Sequence, residues 1–175
     1  MVHMRRKLFA AAAAALALSM FSSTAALAAG WEKVSSQWFY YQEDGSVAKD
    51  VWIDTEDGRY WMRNDGVMAV SQWVPFENHW YYVGADGKML TTQLLELDRE
   101  HYYLHEDGKM AANEWKEVEA GKWYYFQENG KAVKKGWKQI SGDWYYFLNS
   151  GMMATDAVVP GGYRVGPDGK WVQRK

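Results

Sequence analysis

Glycines stand at positions 45, 66, 87, 108, 130, 151 and 169, at intervals of 21, 21, 21, 22, 21 and 18 residues. Each follows Asp, Asn or Ser, as in Asp65-Gly66, Asn129-Gly130 and Ser150-Gly151. A second ladder keeps step with the first: Trp31, Trp52, Trp73, Leu94, Trp115 and Trp137, again 21 or 22 apart. A fixed period of this length means one supersecondary unit copied along the chain. Each copy is too small to bury its apolar face alone, so neighbours must stack.

Between the two ladders lies an aromatic triplet: Trp38-Phe39-Tyr40, Trp80-Tyr81-Tyr82, His101-Tyr102-Tyr103, Trp123-Tyr124-Tyr125 and Trp144-Tyr145-Tyr146. Aromatic runs suit a pleated strand, and Asp-Gly or Asn-Gly is a strong signal for a two-residue hairpin turn. The expected unit is a hairpin closed at the Asp-Gly step, with Val47, Met68, Met89, Met110, Ala132 and Met153 on the return strand. A connecting loop then carries the Trp of the next copy. Since a lone two-stranded hairpin is marginal in water, the expected fold is all-β, a solenoid of stacked β-hairpin repeats of about 21 residues. The seventh copy, from Tyr163 to Val172, has no triplet and a short lead, as a terminal cap would.

Composition bounds the rest. Arg5, Arg6 and Lys7 precede an apolar run from Leu8 to Phe21, and Ala26-Leu27-Ala28 supplies a small-x-small step. Residues 1–28 therefore read as a secretory signal peptide, and 29–175 as a single repeat module. The run of 14 residues is too short to span a bilayer, which takes about 20, and no later stretch is long enough, so no transmembrane segment is expected. Removing three basic residues from 20 leaves 17 against 22 acids, the wrong balance for a nucleic-acid partner. There is no Cys, hence no disulfide or thiolate metal site. His79, His101 and His105 lack metal spacing, and no GxSxG, HExxH or Gly-rich phosphate loop occurs. No enzyme activity, metal or cofactor is expected.

All 11 Trp and 12 Tyr lie after Gly30. Alternation along a strand points Trp80 and Tyr82 one way and Tyr81 the other. One face can fill the stack, while the other can meet the Trp of its own repeat and an aromatic of the next. Three rings round a gap suit a quaternary ammonium, which a ring face attracts without any hydrogen bond.

The run Gly136-Trp137-x6-Trp144-Tyr145-Tyr146-Phe147-x3-Gly151-x-Met153 resembles the choline-binding, or cell-wall-binding, repeat of Gram-positive surface proteins and autolysins. Trp115-x7-Trp123-Tyr124-Tyr125-Phe126-x3-Gly130 is nearly as close. The resemblance implies a secreted, wall-associated module that binds choline of teichoic or lipoteichoic acid between consecutive repeats. It also implies the cage: the loop Trp, the first aromatic of the triplet, and its equivalent in the next repeat. On this chain that grouping gives Trp115, Trp123 and Trp144, then Trp137, Trp144 and Tyr163. It also gives Trp73 and Trp80 with His101 as third wall, and a poor set with Leu94 and His101. In the second repeat, counting back from Gly66 puts Arg59 in the caging slot, and counting forward from Gly58 puts Tyr60 there. With Arg59 inward, the cages of Trp31, Trp38 and Trp52 are spoiled. Two to four working sites are expected out of six.

The competing reading makes these rings packing alone. For Tyr81, Tyr82, Tyr124, Tyr125, Tyr145 and Tyr146 packing is the expectation, as it is for the methionines. For Trp115, Trp123, Trp137 and Trp144 the cage is. Other functions stay open: a glucan or other cell-wall polysaccharide as ligand, or a structural or adhesive surface protein that binds nothing small. Homodimerisation through terminal hairpins near Val158-Val159-Pro160 is a further expectation.

Overall fold

The computed structural model describes residues 29–173, and the expected leader lies outside them. Six two-stranded antiparallel hairpins follow one another. They are β1 (Gly30–Val34) with β2 (Gln37–Tyr41), β3 (Val51–Thr55) with β4 (Gly58–Met62), and β5 (Gln72–Phe76) with β6 (His79–Val83). Then come β7 (Gln93–Leu97) with β8 (Glu100–Leu104), β9 (Glu114–Glu119) with β10 (Lys122–Phe126), and β11 (Gly136–Ile140) with β12 (Asp143–Phe147). A three-stranded sheet of β13 (Ala157–Val159), β14 (Tyr163–Val165) and β15 (Trp171–Val172) ends the series. Among the described residues no helix is long and apolar enough to cross a membrane.

The hairpins close elsewhere than the Asp-Gly steps suggest. The ladder Trp is not in a loop but in the first strand of each hairpin, paired with the triplet strand. Four of the six connecting turns, Ser35-Ser36, Glu77-Asn78, Asp98-Arg99 and Ser141-Gly142, have both φ values positive. Such primed turns match the twist of the strands they join. The Asp-Gly step instead ends the hairpin. In the first copy the Gln42 N–H donates to Ser46 O at 2.8 Å and the Gly45 N–H to Gln42 O at 2.9 Å. That is a three-residue loop with glycine in the left-handed region, φ +80°, as in a G1 bulge. Asp44 Oδ1 accepts the Ser46 N–H at 2.9 Å. Residues such as Val47 and Met68 make one bridge each, to Tyr41 and Met62, rather than a full return strand.

Successive hairpins are tied by single backbone bonds and by packing. The Met68 N–H donates to Trp38 O of the preceding hairpin at 2.8 Å, and Met153 repeats this on Trp123 O at 2.7 Å. From the second copy onward one residue near the end of the second strand is sealed: Met62, Val83, Leu104, Phe126, Phe147 and Val165 are all 0 % exposed, whereas Tyr41 of the first is half-buried. Burying one such side chain is worth about 1.5–3 kcal/mol. The core is divided accordingly. Four separate clusters form between neighbours, such as Trp52, Ala69, Val74, Tyr81 and Val83, or Val133, Ile140, Tyr145, Phe147 and Met153.

Candidate functional site: aromatic gaps between hairpins

Strand register decides which rings share a face. In β5–β6 Trp73 stands opposite Tyr82, and Pro75 opposite Trp80, so Trp73, Trp80 and Tyr82 point one way and Tyr81 the other. Trp31 with Trp38, Trp115 with Trp123 and Trp137 with Trp144 are placed alike in their own hairpins. The next hairpin turns its reverse face to this pair. Ring centroids then lie 5.0 Å apart for Trp31 and Tyr60, 4.9 Å for Trp73 and Tyr102, 4.8 Å for Trp115 and Tyr145, and 5.8 Å for Trp137 and Tyr163, all edge-on.

This register corrects the expected grouping. The third wall is the second residue of the next triplet, not the first. The gap of Trp115 and Trp123 is closed by Tyr145, while Trp144 points the other way and serves the gap of Trp137. His101 does not enter the gap of Trp73 and Trp80, because Tyr102 closes it. The ambiguity in the second repeat resolves in the same way. Tyr60 pairs with Ile53 and faces Trp31, whereas Arg59 pairs with Asp54 and shares a face with Trp52. The gap of Trp31 and Trp38 is thus not spoiled by Arg59. Tyr81, Tyr124 and Tyr145, expected to be packing residues only, are buried and also turned toward a gap.

Counting gaps by the hairpin that supplies the Trp pair, gap 1 is bounded by Trp31, Trp38, Tyr60 and Met68, with Thr55, Glu56, Asp57 and Asp86 at its rim, and encloses about 500 Å³. Gap 5 is bounded by Trp115, Trp123, Tyr145 and Met153 with Pro167 and Asp168, and encloses about 410 Å³. The methionines are therefore wall residues, held in place by the bonds to Trp38 O and Trp123 O. In gap 3 the Met110 N–H makes the same bond to Trp80 O at 2.8 Å. Gap 6 has a tryptophan in that slot: Trp171 lies 6.4 Å from Trp137 and 6.0 Å from Tyr163. Sequence reasoning missed Trp171, although its place two residues after Gly169 is the place of Met68 after Gly66.

The cavity of gap 1 has three carboxylates at its rim and that of gap 5 has one, Asp168; the nearest basic group to gap 1 is Lys33 over the outer Trp38 ring. Burial pushes the Tyr145 phenol above its ordinary value, so that wall stays neutral at any physiological pH. Lys33, which is exposed, stands 5.6 Å over the Trp38 ring.

Gaps 2 and 4 are built differently. In gap 2 the caging slot of the triplet holds Arg59, and Trp52 is only 7 % exposed. In gap 4 Leu94 replaces the tryptophan and His101 takes the slot, 6.3 Å from Tyr124 and 3.7 Å from Glu96. Lys116 of the next hairpin sits 4.7 Å over Tyr103 on the same face.

This stack of hairpins with aromatic gaps is the architecture of a wall-binding repeat module. A family profile described as "Choline-binding repeat" matches residues 46–89 and 132–171, and one described as "Putative cell wall binding repeat" matches residues 29–47 and 113–132. The chain belongs to the choline-binding, cell-wall-binding repeat family. It is similar to CbpJ from Streptococcus pneumoniae, with 33% identity and a TM-score of 0.67 over 82% of this chain and 48% of that one. It is similar also to choline binding protein F from Streptococcus pneumoniae, with 32% identity and a TM-score of 0.66 over 83% and 48%. The modular autolysin LytC of the same organism matches at 25% identity with a TM-score of 0.63, over 82% of this chain and 37% of that one. The chain thus spans about half the length, or less, of these solved relatives. Among curated proteins no sequence match is significant.

Proposed function

We propose that this chain is a secreted, non-catalytic wall-binding module that holds choline residues of teichoic or lipoteichoic acid in gaps 1, 3, 5 and 6. One observation carries the reading. The first triplet slot holds a Trp left open to solvent in hairpins 1, 3, 5 and 6, at 39, 47, 36 and 41 % exposure, each beside a Trp–Tyr edge contact. Large exposed rings recurring at one structural position mark a recognition surface.

A trimethylammonium group offers no hydrogen-bond donor, so a hydroxyl-lined pocket cannot grip it. Ring faces can, through their quadrupoles, at about 0.5–2 kcal/mol per contact. Its methyl groups also bury apolar area against Met68 or Met153. The carboxylates of Glu56, Asp57 and Asp86 favour a cation at gap 1, and Asp168 at gap 5. A single gap binds weakly, but several on one rod, facing a polymer with many choline groups, gain through effective concentration.

Isothermal titration of the chain with choline, together with retention on a tertiary-amine resin and elution by free choline, tests this reading. Four choline sites are expected. Absence of binding heat and of retention, with dextran retarding the protein instead, overturns the reading in favour of a glucan.

A further inference from the structure

Gap 2 departs from the other Trp-bearing gaps in having a half-buried cation over its ladder tryptophan, whereas the exposed Lys33 of gap 1 stands over Trp38 and leaves Trp31 half-buried. The Met89 N–H donates to Arg59 O at 2.8 Å, the same bond that Met68 makes to Trp38. Arg59 therefore occupies the slot of an exposed caging Trp. Its guanidinium carbon lies 5.2 Å over the Trp52 ring. That ring is in turn edge-on to Trp61 at 5.2 Å and to Tyr81 at 5.4 Å, with Phe76 at 6.5 Å. Asp54, directly across the hairpin, brings Oδ1 to 3.0 Å from Arg59 Nε. As a result Trp52 is buried, whereas Trp31, Trp73, Trp115 and Trp137 in the same position are half-buried.

We propose that gap 2 is an aromatic cage that already holds its cation, the guanidinium of Arg59, anchored by Asp54. The chain acts there as its own ligand. A guanidinium is planar and weakly hydrated, so it stacks on a ring face without the hydration cost of a lysine ammonium. Gap 4 shows a related arrangement, with the Lys116 ammonium over Tyr103. The two hairpin joints that lack a full set of open walls are thus closed by internal cations. Joints 2 and 4 stay closed without ligand, and joints 1, 3, 5 and 6 are left for ligand. The count of free gaps rests on the choline reading above; the occupancy of gap 2 by Arg59 does not.

Two measurements test it. In the intact chain, the Arg59 side-chain protons should show upfield ring-current shifts in NMR spectra that saturating choline leaves in place and that Trp52→Leu abolishes. Unshifted Arg59 protons, or protons that choline displaces, overturn the proposal. In calorimetric titration, Arg59→Trp, which removes the internal cation and puts back the open ring of the caging slot, should bind one choline more than the unaltered chain, while Arg59→Lys should not. An unchanged count in a folded Arg59→Trp chain also overturns it. Should Arg59→Trp unfold, Arg59→Tyr takes its place with the same expectation. A chain that binds no choline at all but retains the shifted Arg59 protons refutes the choline reading and leaves this one standing.

Discussion

Trp123 stands at the mouth of gap 5, with Tyr145 across the gap and Met153 beside it. Because the wall from the next hairpin is Tyr145, each caging Trp serves one gap. Trp123→Ala is expected to weaken one site of four by roughly 2- to 30-fold, the loss of one cation–ring contact, with little change in melting temperature. Trp144→Ala should act on gap 6 alone. Trp115 also packs against the cluster of Ile140, Tyr145 and Phe147, so Trp115→Ala should in addition cost up to about 3 kcal/mol of stability. Calorimetry with choline and a thermal melt separate the two effects. The slots of these residues were legible in the sequence, since a strict period marks equivalent positions. Which hairpin each slot serves was not, because that depends on which face of one hairpin meets its neighbour.

The turn carboxylates give a second test at this scale. Asp65 accepts the Val67 N–H at 3.0 Å and pairs with Arg63, and these contacts hold its carboxyl below the ordinary carboxylate value. A folded pKa below the unfolded one means the stabilisation is whole above about pH 4 and is lost as pH falls through the depressed folded value. Asp44, bonded to the Ser46 hydroxyl and N–H, and Asp107, paired with Lys109, follow the same sign. Melts from pH 7 to pH 2 should show a constant offset between the unaltered chain and Asp65→Asn down to about pH 4, shrinking only below it.

At the level of the repeat, five glycines of the ladder, Gly66, Gly87, Gly108, Gly130 and Gly169, have a second duty beyond their positive φ. A Cβ on Gly108 would stand 2.6 Å from Met89 Sδ and 2.7 Å from its Cε, whereas one on Gly45 would meet nothing within 4 Å. The methionine that walls one gap thus lies on the glycine of the following turn. Gly45→Ala should cost only the left-handed backbone term, about 1 kcal/mol. Gly108→Ala should cost up to about 1 kcal/mol more, because the flexible thioether end of Met89 must move aside. Met89→Ala combined with Gly108→Ala should recover part of that excess, which a double-mutant cycle in denaturant melts can measure. The repeat unit was legible, but its turns were misplaced for a chemical reason. Asp-Gly is the familiar mark of a tight hairpin, yet here it closes a three-residue loop with a single positive φ. The primed turns sit on Ser35-Ser36, Glu77-Asn78 and Asp98-Arg99, residue pairs with weak turn signatures that the folded hairpin holds in place.

Across the described residues, four separate clusters replace one core, so stability is distributed between neighbours. No residue of β1 or β2 is buried, and gap 1 joins that hairpin to the second through Trp31 and Tyr60. Amide hydrogen exchange should therefore be fastest in β1–β2 and slow in β6 and β12. Choline at about 100 times its dissociation constant should slow exchange in β1–β2 by up to roughly 100-fold, with much less effect in the joint of Arg59. Equal protection of every hairpin, or uniform slowing by choline, would contradict nearest-neighbour organisation.

The partition of the core also bears on inheritance. In a molecule with one shared interior, a mutation that spoils a pocket tends to spoil the fold, and selection removes both together. Here the departures are confined to single joints, Arg59 in gap 2 and Leu94 with His101 in gap 4, and the clusters of the other joints are left intact. A lineage carrying this scaffold can alter its joints one at a time, without passing through an unfolded ancestor.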